Sequence, residues 1–335
     1  MILFVGNILS KHGFNPTYFE LLAHDLDEYQ IFCTSDKKNK ILRLLYMIVM
    51  FYKNIFNIKL LVIDTYSTHS YYFALIISMI SRFHRKPYIL NLSGGDLENR
   101  LINTNSFKTI LKHSALNISP SKFIYEKFQK HHIQSLYIPN YLNLKLYPYY
   151  RRSSFGPRLL WVRSFHKIYN PEMAIETLRL LHEKYPDINL CMVGPTKDNS
   201  IVLVKRLAEH YNLIPNLILT GRISKNKIVE LSTNFDIFIN TTNFDNLPIS
   251  VLEAMALGLP IISTNVGGLP FFLNNENSIL VNQNDSIAMA DAIIQIIESP
   301  KFGVKISDNA RKTVEENHNK NIIMGKWSKI FDNYL

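Results

Sequence analysis

Two carboxylates, Asp245 and Glu253, bracket the start of a helix in Asn243–Phe272 (NFDNLPISVLEAMALGLPIISTNVGGLPFF). Asp245 falls on a loop that leaves the apolar run Asp236–Asn240. Pro248 suits a helix's first position, where its missing N–H costs nothing. Val251, Leu252, Ala254, Met255 and Ala256 carry the helix on, Gly258 stops it, and Pro260 opens the next strand. Amides at a helix N-terminus suit phosphate or sugar oxygens. A carboxylate about a turn and a half in, such as Glu253, can accept hydrogen bonds from two vicinal ribose hydroxyls. Taken as an isolated pair, Asp245 reads as an acid favoured near a helix N-terminus and Glu253 as a surface residue. Arg163 ends the apolar run Leu159–Arg163. Its guanidinium is always charged and fork-shaped, which fits phosphate; by itself it reads as a strand-end arginine.

Ser93 lies in Asn91–Leu97 (NLSGGDL) after another apolar run, and serine is no base near neutrality without help. His69, in DTYSTHSYY after the run LLVID, has two readings: a residue reaching a functional site, or a histidine at a helix start without catalytic duty. Gly6 and Gly13, in GNILSKHGFNPT, permit close approach of backbone to a ligand. No His/Cys set has metal-ligand spacing, so neither metal nor cofactor is expected.

These residues hang on a regular succession of elements. Apolar and β-branched runs predict strands at Ile2–Gly6, Gln30–Cys33, Leu60–Asp64, Pro87–Leu92, Leu116–Ser119 and Leu136–Pro139. A second series follows at Leu159–Arg163, Ile188–Gly194, Leu217–Thr220, Asp236–Asn240, Pro260–Ser263 and Ser278–Val281. Consecutive apolar positions suit strands buried on both faces of a parallel sheet, and the intervening helical patterns imply right-handed βαβ units in both halves. Asn140–Pro157 has no period and reads as a linker. The expectation is a domain over residues 1–150 and another over 151–335, the last helix (about 319–335) packing back on the first. At 335 residues the chain is long enough for two cores.

Charge is uneven. Residues 1–152 hold 19 Lys/Arg against 9 Asp/Glu, and residues 153–335 hold 18 of each. All of the net charge of +10 therefore sits in the first half, which favours an anionic partner. No nucleic-acid motif accompanies it, and no nucleic acid is expected. Cys33 and Cys191 form neither a disulfide framework nor a metal cluster, in keeping with a reducing cytosol. The start, MILFVGNILS, reads as a buried first strand and not as a signal peptide. Lys37–Lys59 (KKNKILRLLYMIVMFYKNIFNIK) is basic at both ends, and its apolar core is too short for a bilayer, which needs roughly 20 residues. It reads either as a helix packed on the sheet or as an interfacial helix; the local charge favours the membrane surface.

The string Asp245…Glu253-Ala254-Met255-Ala256-Leu257-Gly258-Leu259-Pro260, followed by Gly267-Gly268, resembles the signature of family 4 of the retaining glycosyltransferases: an acid, seven residues, Glu, then Ala-Met-Ala-x-Gly-x-Pro, a short strand and Gly-Gly. The family's usual first acid is Glu; here it is Asp245. Leu159–Glu176 is similar to the opening of the family's second domain. Arg163 matches its diphosphate-pairing arginine, but Ile168 stands where the family has a lysine, with Lys167 adjacent. Gly194 and the Thr220-Gly221-Arg222-Ile223 turn match loops near the nucleotide. Ser93 replaces a common histidine.

The resemblance implies the GT-B fold: α/β, two Rossmann-like domains facing each other across a cleft. It implies a donor site in which Glu253 holds the ribose, Asp245 contacts the transferred sugar, and the amides of Asn246, Leu247 and Ile249 lie near sugar and diphosphate. Backbone near Arg222 and Ile223 reads the base, and Arg163, with Lys167 beside it, faces the diphosphate. Gly13 lines the first loop, while His69 and Ser93 are the catalytic-side candidates of the acceptor half. The implied activity is retaining, metal-independent transfer of a sugar from a nucleotide-sugar donor, a UDP-sugar with GDP as the alternative. The acceptor would be a glycan or lipid-linked molecule of bacterial surface polysaccharide synthesis. The protein would be cytoplasmic, with peripheral contact to an anionic membrane. Two rival readings are a degenerate nucleotide-sugar binder and an epimerase-like enzyme on the same fold.

Overall fold

The computed structural model describes residues 1–13 and 16–335. Contacts divide the chain into one unit of Met1–Asn140 with Asn321–Leu335, and another of Tyr141–Lys320. In the first unit the order is β1 (Ile2–Val5), α1 (Tyr18–Asp25), β2 (Ile31–Thr34), α2 (Lys40–Lys53), β3 (Leu60–Thr65), α3 (Tyr71–Phe83), β4 (Tyr88–Leu92), α4 (Leu97–Asn103), α5 (Asn105–Lys112), β5 (Leu116–Ser119), α6 (Lys122–Lys130) and β6 (Leu136–Tyr137). In the second it is β7 (Arg158–Val162), α7 (Pro171–His182), β8 (Asn189–Val193), α8 (Ser200–His210), β9 (Leu217–Gly221), α9 (Lys225–Ser232), β10 (Ile237–Asn240), α10 (Ile249–Ala256), β11 (Ile261–Thr264), β12 (Ile279–Val281), α11 (Ser286–Glu298) and α12 (Pro300–Asn317); α13 (Lys320–Asp332) then enters the first unit.

Each unit is a six-stranded parallel sheet, in the orders β2-β1-β3-β4-β5-β6 and β12-β11-β10-β7-β8-β9. Every residue of β1, β3 and β4 is buried, because helices cover both faces and leave no solvent side for alternation. All twelve strands predicted from the sequence are present, with ends shifted by a residue or two. Pro248 is the cap of α10 rather than its first residue. Gly258, at φ +78°, ends that helix where a Cβ would lie 2.6 Å from the Tyr150 carbonyl oxygen.

In both sheets the connections reverse direction beside the first strand: between β1 and β3, and between β7 and β10. Ligands of open α/β sheets bind outside the carboxyl ends of strands at such a point.

The division falls after Asn140, before the boundary expected at 150, and Asn140–Pro157 is no free tether. The segment is irregular, but Leu142, Tyr147, Arg152 and Phe155 are buried. The buried Arg152 guanidinium donates to the carbonyls of Phe235 (2.9 Å), Ser232 (2.8 Å), Gly258 (2.8 Å) and Tyr150 (3.1 Å). It fastens the segment to the ends of α9 and α10, and burial lowers its pKa. Removing it strands several buried acceptors, each worth about 1–3 kcal/mol when unsatisfied. Arg152→Ala is therefore expected to lower unfolding free energy by about 3 kcal/mol or more, read as the urea midpoint; a shift under a quarter of that would show the carbonyls find other partners.

Candidate functional site

At the second switch point the strand ends bring Arg163 and Asp245 together. Arg163 follows β7 and Asp245 lies on the loop after β10; Arg163 Nη2 donates to Asp245 Oδ2 at 2.6 Å. Both side chains are largely shielded, and the guanidinium lies 4.9 Å from the Tyr169 ring centre. Gly194 makes this possible: a Cβ there would sit 1.8 Å from the Arg163 carbonyl oxygen, and its amide instead reaches Gly221 O at 2.9 Å.

The Asp245 loop is held from two sides. Asn243 N donates to Ile168 O at 2.7 Å, and Gly268 N to Asp245 O at 2.7 Å. Thr264 Oγ1 donates to Thr242 O at 2.6 Å. A Cβ on Gly267 or Gly268 would lie 2.2 Å from Asp245 O or 1.8 Å from Asn246 O. The Gly-Gly pair therefore serves close packing of two loops. Three shielded polar atoms here lack a partner among the described residues: Arg163 Nε, Asn246 Oδ1 and Ser250 Oγ. Buried polar groups are normally satisfied, so this cluster is suited to a polar ligand.

Glu253 is no surface residue: it is 7% exposed. Its Oε1 accepts from Tyr147 OH at 2.7 Å and from Lys225 Nζ at 2.5 Å. Burial, then the Glu253 charge, raises the Tyr147 pKa. Sequence reasoning missed both partners, since Tyr147 lay in a supposed linker and Lys225 only opens α9. Leu247, Ile249 and Ile223 pack on the core beneath α10, while Arg222 is exposed at the end of β9. Lys167 is exposed at the start of a 3-10 turn, its backbone amide bonded to Asp198 Oδ2 at 2.9 Å.

His69, Ser93 and Gly13 belong to the first unit. Gly13 ends a 3-10 turn at φ +79°; its neighbours Phe14 and Asn15 lie outside the described residues. His69 is exposed, just before α3. Ser93 Oγ donates to Asp64 Oδ1 at 2.5 Å, and Asn91 Nδ2 to the same atom at 3.0 Å. Asp64, at the β1–β3 switch point, was not foreseen. Burial raises its pKa despite hydrogen bonds from Ser93, Tyr66 and Asn91 that pull it down. A cavity of about 1130 Å³ in this unit opens at the amino ends of β5 and β6, away from these strand ends.

Each unit has the Rossmann-like build, and together they define a GT-B glycosyltransferase fold. HepE of Anabaena, solved in complex with UDP and glucose, matches over 99% of both chains with a TM-score of 0.76 at 15% identity. Residues 154–313, nearly the whole second unit, match the family described as Glycosyl transferases group 1. CapM, a capsular polysaccharide biosynthesis glycosyltransferase of Staphylococcus aureus, is 26% identical over 48% of this chain. The match spans only 42% of CapM. An uncharacterized glycosyltransferase of Haemophilus influenzae is 25% identical over 77% of this chain and 71% of its own.

The raised Asp64 pKa has a definite sign. Above its ordinary 3.8, the unfolded chain releases a proton that the folded protein keeps, so stability falls as pH rises through that window. Asp64→Asn keeps an acceptor and removes the titration. The variant is expected to gain stability relative to the parent as pH rises from about 4 to 7, followed by chemical denaturation at several pH values; a constant difference would mean Asp64 is not titrating as described.

Proposed function

We propose that this protein transfers a sugar from a nucleotide-diphosphate donor, a UDP-sugar, to a growing surface polysaccharide or its lipid-linked precursor, with retention of configuration. The observation that carries this reading is the Arg163–Asp245 pair beside the unpartnered Arg163 Nε, Asn246 Oδ1 and Ser250 Oγ, with the buried Glu253 carboxylate deeper along α10. UDP bound to HepE and the capsular role of CapM support donor and acceptor class. Arg163 faces the diphosphate, Asp245 orients both that arginine and the transferred sugar, and Glu253 holds the ribose hydroxyls. The amides of Asn246, Leu247 and Ile249 lie towards sugar and phosphate. Backbone at Arg222 and Ile223 borders the base.

In the transfer the bond from the anomeric carbon to the leaving phosphate oxygen breaks, and one to the acceptor oxygen forms on the same face. The acceptor proton passes to the leaving phosphate. Such a step asks for charge stabilisation and orientation more than for a strong protein base, which suits Ser93 in place of histidine. The first unit supplies the acceptor side, with His69, Ser93 and the Gly13 loop, and the protein works peripherally at an anionic membrane surface.

Arg163→Ala is expected to lower kcat/KM by at least about a hundredfold, because a charge-assisted contact to the leaving group strengthens as the bond breaks. Arg163→Lys should restore only part, a point charge replacing a fork. Turnover should persist in EDTA, the guanidinium supplying the positive charge; revival only on adding manganese or magnesium would overturn that role.

Glu253→Gln is expected to weaken UDP binding about ten- to a hundredfold, since hydrogen bonds to a charged group are worth about 1.5–3 kcal/mol. The 2′-deoxy nucleotide should bind the parent weakly and lose little more on mutation, the non-additivity of a direct contact. Calorimetry that finds both proteins folded and equal in UDP affinity would remove Glu253 from the ribose.

A further inference from the structure

The helix α2 is two-sided. Arg43, Met47, Met50 and Phe51 are buried in the first unit's core. The opposite face carries Ile41, Leu45, Val49, Tyr52 and then Phe56, all exposed. The spacing of Ile41, Leu45, Val49 and Tyr52, three or four residues at a time, lines them up on one side of the helix, and Phe56 follows in the turn after its last residue. Neighbouring α3 adds Met79 and Phe83. Phe56 is 97% exposed and Phe83 83%, values rare for phenylalanine in contact only with water. Both stand where their helices end, so their rings project from the edge of the patch.

Apart from Asp36, which pairs with Lys37 at 3.4 Å, the charge along this apolar surface is positive. Residues 37–63 and 65–95 contain nine Lys/Arg and no Asp or Glu, and Asp64 between them is buried. Lys37 and Lys38 precede α2 and Lys40 opens it, Lys53 ends it and Lys59 follows, and Arg82, Arg85 and Lys86 cluster at the end of α3. A protein partner is seldom so uniformly acidic over two helices. An apolar stripe framed by cations is the pattern of a helix lying in a lipid interface. Among the described residues no helix is long and apolar enough to cross a membrane, which is consistent with lying on one.

We infer that the exposed α2–α3 face is a docking surface for an anionic lipid bilayer, with Ile41, Leu45, Val49, Tyr52, Phe56 and Phe83 entering the headgroup region and the flanking lysines and arginines pairing with lipid phosphates. This deepens the proposed membrane-side function and rests on it for its purpose. The physical claim stands on the surface itself. Each basic residue near an anionic surface multiplies partition by about fivefold, and the electrostatic share falls with salt as the Debye length shrinks from about 10 Å at 0.1 M to about 3 Å at 1 M.

The test is flotation of the full chain with vesicles of phosphatidylcholine alone or with about a third phosphatidylglycerol, at low and high salt. Binding to the anionic vesicles, weakened but not abolished by salt, is expected. Phe56→Ser with Phe83→Ser should cut it by about tenfold or more, and Lys38→Gln, Lys40→Gln and Lys53→Gln together should remove most of its salt dependence. Circular dichroism and UDP binding, both unchanged, verify that the variants fold and leave the donor reading intact. No flotation of the parent at low salt overturns the docking surface even where UDP binds. So does equal flotation by both phenylalanine-bearing and serine-bearing proteins, or a concentration-dependent dimer abolished by the serine substitutions, which would assign the patch to a second copy. Loss of UDP binding in the parent would sink the transferase reading and leave the docking result standing.

Discussion

The backbone of Asp245 and Asn246 passes so close to Gly267 and Gly268 that neither glycine has room for a single additional carbon. That contact fixes the loop after β10, and the loop fixes the carboxylate that holds Arg163. Gly194 imposes the same constraint on the other side, where β8 presses against the end of β7. The charged pair is thus positioned largely by backbone packing, with the Thr264 hydroxyl bracing the loop and the Tyr169 ring beside the guanidinium. A preorganised cation needs no rearrangement when negative charge develops beside it.

Glu253 is arranged differently. Its partners Tyr147 and Lys225 come from an irregular segment and from the first residue of a helix. The Lys225 side chain is substantially exposed, so its bond to the carboxylate is an inexpensive one to exchange. In the proposed donor site a ribose at Glu253 would take the place of the Lys225 ammonium and leave the buried Tyr147 phenol where it is. The Arg163–Asp245 pair is thus more firmly held than the exposed partner of Glu253.

The fold was legible because parallel strands covered on both faces write themselves as uninterrupted apolar runs, and each of the twelve is where its run stands. The switch-point residues Arg163 and Asp245 stood out only through the resemblance of the whole string to the family signature; by type and order alone they read as a strand-end arginine and an acid near a helix start. Tyr147 and Lys225 were not, since a tyrosine in an aperiodic stretch and a lysine on a polar helix start carry no pattern. The same aperiodicity made Asn140–Pro157 look like a tether, whereas Arg152 secures it through backbone carbonyls, an interaction that leaves no trace in hydrophobic periodicity. Asp64 sat within a strand pattern as one polar residue among apolar ones, and only its burial beside Asn91 and Ser93 sets it apart. Lys37–Lys59 offered two readings; α2 packs one face on the core, as the first requires, and turns an apolar face outward.

The chain visits the first unit twice. Leu142 and His318 are joined by a backbone hydrogen bond of 2.7 Å, and Lys320 returns one to Leu142 at 3.0 Å, so the outgoing and returning strands are clasped where they enter the second unit. Beyond the clasp, Trp327 and Phe331 are fully buried in the first unit, Phe331 edge-on to Phe4 of the opening strand at 6.3 Å, and Tyr29 reaches Asp332 at 2.8 Å. The opening strand thus waits for a helix made after the whole second unit. Tyr141–Lys320 has all of its own sequence while the first unit still lacks α13, so the unit that starts earlier along the nascent chain is completed later.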